Sequence, residues 1–230
     1  MSVDWSQYNL QQLRDCAVQS YRSGGGSRPD VLVIDIDGEQ AVLKDHNRMD
    51  KWFALLVGPL LVWRETKALK KLHHLQGVPA LLAVPDRRAV LMEHIKAEQV
   101  VSLKDEHINW ADYFIKLRQL IDDMHLAGVA HGDLRSPTNA LIDASGRAVV
   151  VDLVASLHRG RSFNVVQNTL FKKLSLVDLS AITKLKKRLA PDLLGENELE
   201  SEQIAGKTGL YARALGQKIR TISRRLFSDK

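Results

Sequence analysis

Three oxygen-bearing side chains fall close together in the middle of this 230-residue chain: Asp133 in H-G-D-L, Asn139, and Asp152 at the end of V-V-V-D-L. A carboxylate held in a polar turn, as Asp133 is, suits the task of orienting and deprotonating a hydroxyl. An amide and a second carboxylate offer the hard oxygens that keep magnesium on phosphates. Far upstream, Lys44 ends A-V-L-K and Glu65 follows 21 residues later, an ammonium and a carboxylate able to pair. Taken alone, Asp133 is equally a turn residue, and Lys44 with Glu65 a surface ion pair of small worth.

The elements that carry these residues can be read from pattern. Val31 to Ile36 is β-branched and ends at Asp37-Gly38, a hairpin signal, so Glu39 to Lys44 returns as the second strand. Ala68, Leu69, Leu72 and Leu75 among charged neighbours predict an amphipathic helix over Trp63 to Leu75, which carries Glu65 and stops at Gly77 and Pro79. Ala80 to Val84 and Ala89 to Met92 predict another hairpin. From an N-cap at Asn109, the apolar spacing Trp110, Phe114, Leu117, Leu120 and Met124 predicts a helix to Gly128 that delivers His131 to Asn139 as a loop. Short strands at Ala140 to Ile142 and Ala148 to Val151 follow, then a helical remainder. Tyr21 to Asp30, with Gly24, Gly25 and Gly26, reads as a loop whose amides either approach phosphates or simply connect.

Catalytic Asp, amide, metal Asp, with a strand Lys and a helix Glu before them, is an order that resembles the protein-kinase-like superfamily. The resemblance implies ATP and Mg2+, with Lys44 on the α and β phosphates, Asn139 and Asp152 on the metal, Asp133 as base, and Arg135 against the transferring phosphoryl group. The pattern also departs from that family. Thr138 occupies the fifth position after Asp133 and Asn139 the sixth, so Asn139 is the preferred ligand and Thr138 the fallback. Asp152-Leu153-Val154 replaces Asp-Phe-Gly, which favours a metal site without the usual Asp-in, Asp-out switch. Neither G-x-G-x-x-G nor Ala-Pro-Glu is present. His131 reads as a structural prop of the loop, and the remaining histidines show no metal-ligand spacing.

W-R-E-T-K-A-L-K-K-L from Trp63, G-V-P-A-L-L from Gly77, H-G-D-L, and Asp178 with the following K-L-K-K-R-L are similar to the bacterial lipopolysaccharide-kinase group, related to RIO and Kdo kinases, over about residues 15 to 195. This resemblance implies an α+β, compact bilobal fold with a small antiparallel β lobe and a reduced helical lobe. It also implies cytoplasmic enzymes at the inner membrane of Gram-negative bacteria whose acceptor is a hydroxyl of a glycolipid sugar or of a protein. By the same resemblance Met92 backs the adenine, the main chain of Glu93 and Ile95 bonds its edge, and Asp178 braces the catalytic loop.

Composition sets the frame. Hydrophobic residues make up 45% and charged residues 26%, an ordinary globular balance, and the single cysteine, Cys16, points to a reducing compartment. The opening Met-Ser-Val-Asp-Trp lacks a secretion signal, and the longest apolar run, Trp52 to Trp63, is too short to span a bilayer; it is either core or membrane-dipping. Net charge is +6, and Lys207 to Lys230 alone holds seven bases against one acid after an acidic hinge near 191–206. The expected division is 1–95 for the β lobe, 96–195 for the helical lobe and 196–230 for hinge and tail. The tail reads as a basic amphipathic helix, either on an anionic membrane surface or docked on the helical lobe. Nothing in the pattern supports nucleic acid as a partner. Two rivals stand beside a kinase: a pseudokinase that binds nucleotide or scaffolds a membrane partner, and a small-molecule kinase of the aminoglycoside or choline type, for which the interval His94 to Trp110 leaves little room.

Overall fold

In the computed structural model, which describes residues 3–103 and 108–195, a short helix α1 (Leu10–Asp15) leads into β1 (Ala17–Arg22), β2 (Asp30–Ile36) and β3 (Glu39–Asp45). Asp37 and Gly38 adopt φ of 53° and 84°, the left-handed pair that a tight β2–β3 hairpin requires, and this fixes the register Ile36 to Glu39 and Val31 to Lys44. Helices α2 (Lys51–Leu56) and α3 (Gly58–Leu72) follow, then the hairpin β4 (Leu81–Asp86) and β5 (Ala89–Glu93). The five strands form one antiparallel sheet in the order β1-β2-β3-β5-β4.

Strand alternation sends side chains to two covers. Ile34, Ala41, Leu43, Ala89 and Leu91 meet Trp5 and Leu13 on one face. Val90 and Met92 meet Val62, Ala68, Leu69 and Leu72 of α3 on the other. That second cluster runs on without a break into Tyr113, Leu117, Ile121, Val150, Leu153 and Ile182, so both lobes share one core.

Past the connector, β6 (Ala97–Gln99) pairs with a later strand and α4 (Trp110–Leu126) begins at Asn109, whose side chain accepts the Asp112 N–H at 3.1 Å. Strands β7 (Val129–Ala130), β8 (Ala140–Asp143), β9 (Ala148–Val150) and β10 (Leu157–His158) form two small sheets, β6-β8-β9 and β10-β7, and α5 (Val165–Leu189) closes the helical lobe. This is the expected kinase-like bilobal α+β fold.

Two local expectations are corrected. Tyr21 and Arg22 belong to the edge strand β1 and not to a loop, because pairing with β2 supplies backbone bonds that their polar, unpatterned sequence does not advertise. The run Trp52 to Trp63 is helical, with α3 starting at Gly58 and with its large apolar residues mostly outside the core. The basic tail 207–230 lies outside the described residues, as does most of the acidic hinge.

The β8–β9 turn rests on one carboxylate. Asp143 accepts from Ser145 N at 2.9 Å, Ser145 Oγ at 2.6 Å, Arg147 N at 3.0 Å and Arg147 Nε at 2.8 Å. Burial pushes its pKa up, but these bonds outweigh burial and lower it to about 2. Its contribution to stability is therefore present above the unfolded carboxyl pKa near 3.8 and is lost as pH falls toward 2. Asp143→Ala should lower Tm by about 2–4 °C at neutral pH, with the gap to the unsubstituted chain closing in thermal melts below pH 4.

Candidate active site

Because Leu43 turns to the Trp5 side of the sheet, its neighbour Lys44 turns to the side where α3 packs. Glu65 sits on the buried stripe of α3 between Val62 and Ala68. The Lys44 ammonium donates to Glu65 Oε1 at 2.9 Å and to Asp152 Oδ1 at 2.6 Å, joining sheet, helix and helical lobe at one atom. Burial alone would pull the Lys44 pKa down, but the two carboxylates hold it above its ordinary value. Burial raises that of Glu65 against the pull of Lys44, whereas Lys44 keeps Asp152 low. The Asp152 side chain remains 38% exposed, so its carboxylate is reachable from the cleft.

The loop from His131 to Asn139 hangs from α5. Asp178, fully buried, accepts the N–H of His131 at 2.8 Å through Oδ2 and that of Gly132 at 3.0 Å through Oδ1; His125 Nε2 lies 3.1 Å from Oδ2. His131 Nε2 donates to the Val151 carbonyl at 3.0 Å, which leaves Nδ1 to accept the Asp133 N–H at 3.3 Å. His131 is thus a buried prop between this loop and the strand that leads to Asp152. Gly132 takes φ 80°, and a Cβ there would stand 2.6 Å from the Ala155 carbonyl, so only glycine lets the loop lie this close to the segment after Asp152.

A short turn, Pro137–Asn139, takes up the extra residue and brings Asn139 into place. Its Nδ2 donates to the Asp133 carbonyl at 3.0 Å, and its own carbonyl accepts from Val151 N at 3.1 Å. Asn139 is buried while Asp133 and Thr138 are exposed, which makes Asn139 the residue tied into the site.

Between the lobes lies a cleft of about 590 Å³, within the range of nucleotide-sized sites. Lys44, Glu65, Asn139 and Asp152 line its inner end, Met92, Glu93 and Ile95 its rear edge, and Val31, Val42 and Leu141 supply apolar walls. The Glu93 N–H is already bonded to the Ala80 carbonyl at 2.8 Å, so this residue can offer a base only its carbonyl. Asp133 is not part of the cleft wall; its backbone carbonyl accepts from Asn139, which is.

Not every expected residue comes together there. Gly24 donates its N–H to the Asp30 carboxylate and Gly25 to the Arg28 carbonyl at 3.0 Å, so the loop closes on itself, and none of Gly24, Gly25 and Gly26 forms part of the cleft wall. Arg135 is likewise absent from the wall. Conversely, Tyr21, Arg22 and His94 line the cleft without having been expected: Tyr21 Oη lies 2.9 Å from His94 Nε2, and His94 Nδ1 is 3.0 Å from Gln40 Oε1. Placing Tyr21 and Arg22 needs the pairing of β1, for which the sequence holds no periodic signal.

No family model and no curated protein matches the chain. Among solved structures, it is similar to the Rio2 kinase from Chaetomium thermophilum as an ADP/Mg2+-phosphoaspartate complex, at 19% identity and TM-score 0.59 over 84% of this chain and 63% of that one. A second structure of the same kinase gives 19% identity and TM-score 0.58 over 83% of this chain and 64% of the other. The fold is protein-kinase-like. The chain spans less than two thirds of the length of these neighbours.

Lys44 and Glu65 can be tested as a couple. Lys44→Met strands Glu65 in the core, so the variant should lose about 3 kcal/mol of stability. Glu65 already binds its proton more tightly than an unfolded glutamate, so the folded variant holds the extra proton and stability should fall further as pH rises from 5 to 8. Adding Glu65→Gln should remove that pH dependence, as read from urea midpoints of the single and double variants.

Proposed function

We propose that this chain is an ATP-dependent phosphotransferase that moves the γ-phosphoryl group to an alcohol. The observation that carries this reading is the convergence, at one end of one cleft, of the Lys44 ammonium on Glu65 and Asp152 with Asn139 tied to Asp133. The neighbour crystallised with ADP and Mg2+ supports the choice of nucleotide and metal.

The donor set suits magnesium. Asp152 is partly exposed, and Asn139, anchored through Nδ2, has its amide oxygen engaged by the neighbouring Thr138 hydroxyl at 3.5 Å, a long contact that a cation could displace. One carboxylate and one amide are few ligands, but Mg2+ characteristically takes one or two from protein and the rest from phosphates and water. When bound it would neutralise phosphate charge.

The chain's own residues do the remainder. Lys44, aligned by Glu65, presents a cation to the α and β phosphates. Met92 backs the base, with main-chain contacts at the Glu93 carbonyl and at Ile95. Asp133 orients the acceptor hydroxyl and takes its proton as the new P–O bond forms and the bond to the ADP oxygen breaks. Such catalysis is positioning plus charge neutralisation. For the acceptor we favour a sugar hydroxyl of the lipopolysaccharide core or a protein Ser/Thr, with the chain peripheral to the inner membrane; this rests on the sequence resemblance alone.

One observation favours the rival, a nucleotide-binding regulator without turnover: the amides of Gly24 and Gly25 are committed inside their loop, so phosphate cover is thin. The two readings part in one experiment. MgATP should raise Tm for both the unsubstituted chain and Asp133→Ala, while ADP release falls by about 10²–10⁴-fold in the variant. Nucleotide stabilisation with no Asp133-dependent ADP release would establish the regulator, and no stabilisation at all would defeat both.

A further inference from the structure

Along α2 and the first turns of α3, Trp52, Leu55, Leu56, Leu60 and Trp63 expose 63%, 53%, 63%, 52% and 58% of their surfaces. Their steps of 3, 1, 4 and 3 keep to one helical face continued across the α2–α3 junction. The buried residues of the same helices are Ala54, Val62, Ala68, Leu69 and Leu72, so the outer five contribute little to folding. Contiguous exposed apolar surface of this size marks a contact with something outside the domain.

The surrounding charge selects the partner. From Asp50 to Leu72 there are five bases, Lys51, Arg64, Lys67, Lys70 and Lys71, against Asp50 at the start of α2 and Glu65, which is buried against Lys44. Arg64 and Lys71 also donate to backbone carbonyls of the helical lobe, so Lys67 and Lys70 are the exposed bases of α3 without such a tie among the described residues. Lys67 Nζ lies 4.9 Å from the centroid of the Trp63 ring, so the positive belt begins where the apolar face ends. Burial, with the nearby cations Arg159 and Lys67, holds the Lys71 pKa down. The basic segment 207–230 is a poor cover for this face because it carries the same sign.

We propose that the outer face of α2 and α3 docks on an anionic lipid bilayer, with Trp52 and Trp63 at headgroup level, the leucines below them and the lysine belt against the phosphates. Tryptophan favours that depth, an interfacial helix needs one apolar face with bases beside it, and each Lys or Arg near an anionic surface adds to the attraction. The inference deepens the peripheral-membrane reading above by naming the face that meets the bilayer, and it is independent of phosphotransfer, since vesicle binding needs no nucleotide.

The test is flotation of the full chain with vesicles of phosphatidylcholine alone and of phosphatidylcholine mixed with phosphatidylglycerol. The chain should float with the anionic vesicles, more weakly with the neutral ones, and less as salt rises. Trp52→Glu with Trp63→Glu should weaken anionic binding by about tenfold or more. Lys67→Glu with Lys70→Glu, at exposed positions that leave the apolar face intact, should weaken it several-fold and flatten the salt dependence. All three proteins should keep the same Tm and the same nucleotide response. Absence of vesicle binding, as an acidic protein partner would give, overturns the proposal. So does undiminished flotation of the tryptophan pair variant, which would assign any binding to the basic tail.

Discussion

A buried ammonium is the constraint on which this fold turns. Lys44 lies in an apolar interior where an unpaired cation is far too costly to keep, and burial by itself would strip its proton. Two carboxylates from opposite lobes prevent that. Glu65 requires α3 to lie against the sheet at one height, and Asp152 requires the strand from the helical lobe to arrive from the other side. Three elements are thus held in register by one nitrogen, and the shared core from Val62 to Ile182 packs around that arrangement.

Asp178 plays the matching part for the catalytic loop. A loop that must keep Asp133 exposed cannot bury its own backbone against apolar neighbours, so its amides need a partner from elsewhere. The carboxylate in the middle of α5 takes two of them and draws in His125 as well. His131 then ties the same loop to Val151, the residue before Asp152. Asp133 and Asp152 are therefore positioned relative to each other by buried polar contacts around the turn in which Asp133 resides.

What the sequence made legible follows from these physical causes. The β2–β3 hairpin, α4 with its Asn139-bearing loop, and the Lys44–Glu65 couple each leave a local trace: a turn dipeptide, a cap, a periodic stripe. The preference for Asn139 over Thr138 could be reasoned from its place before β8, and the Asp133 carbonyl contact supplies the geometry. Strand β1 left no trace because its order comes from an edge pairing with β2, and Tyr21 and Arg22 entered the cleft unannounced. The glycine run left two uses open, phosphate contact or simple connection, because the partners of Gly24 and Gly25, Asp30 and Arg28, act within the loop and give no periodic signal. The exposure of the Trp52–Trp63 run was equally hidden, since an apolar string reads alike inside and outside a core.

The segment after Asp152 shows how the missing Phe-Gly is accommodated. Asp152 adopts φ 66° and ψ 66°, a left-handed conformation that costs a non-glycine residue on the order of 1 kcal/mol or more. Leu153 is 1% exposed in the shared core, and burying such a side chain contributes roughly 1.5–3 kcal/mol, enough to offset the backbone cost. Arg64 of α3 then donates to the Ala155 and Ser156 carbonyls at 3.2 and 2.8 Å, and Gly132 presses on Ala155 from the catalytic loop. A segment gripped on three sides, with no glycine to absorb a rotation, has little freedom to swing its aspartate out. The absence of a glycine here and the Lys44–Asp152 contact thus act together, holding the Asp152 carboxylate toward Lys44 by the packing of its own segment.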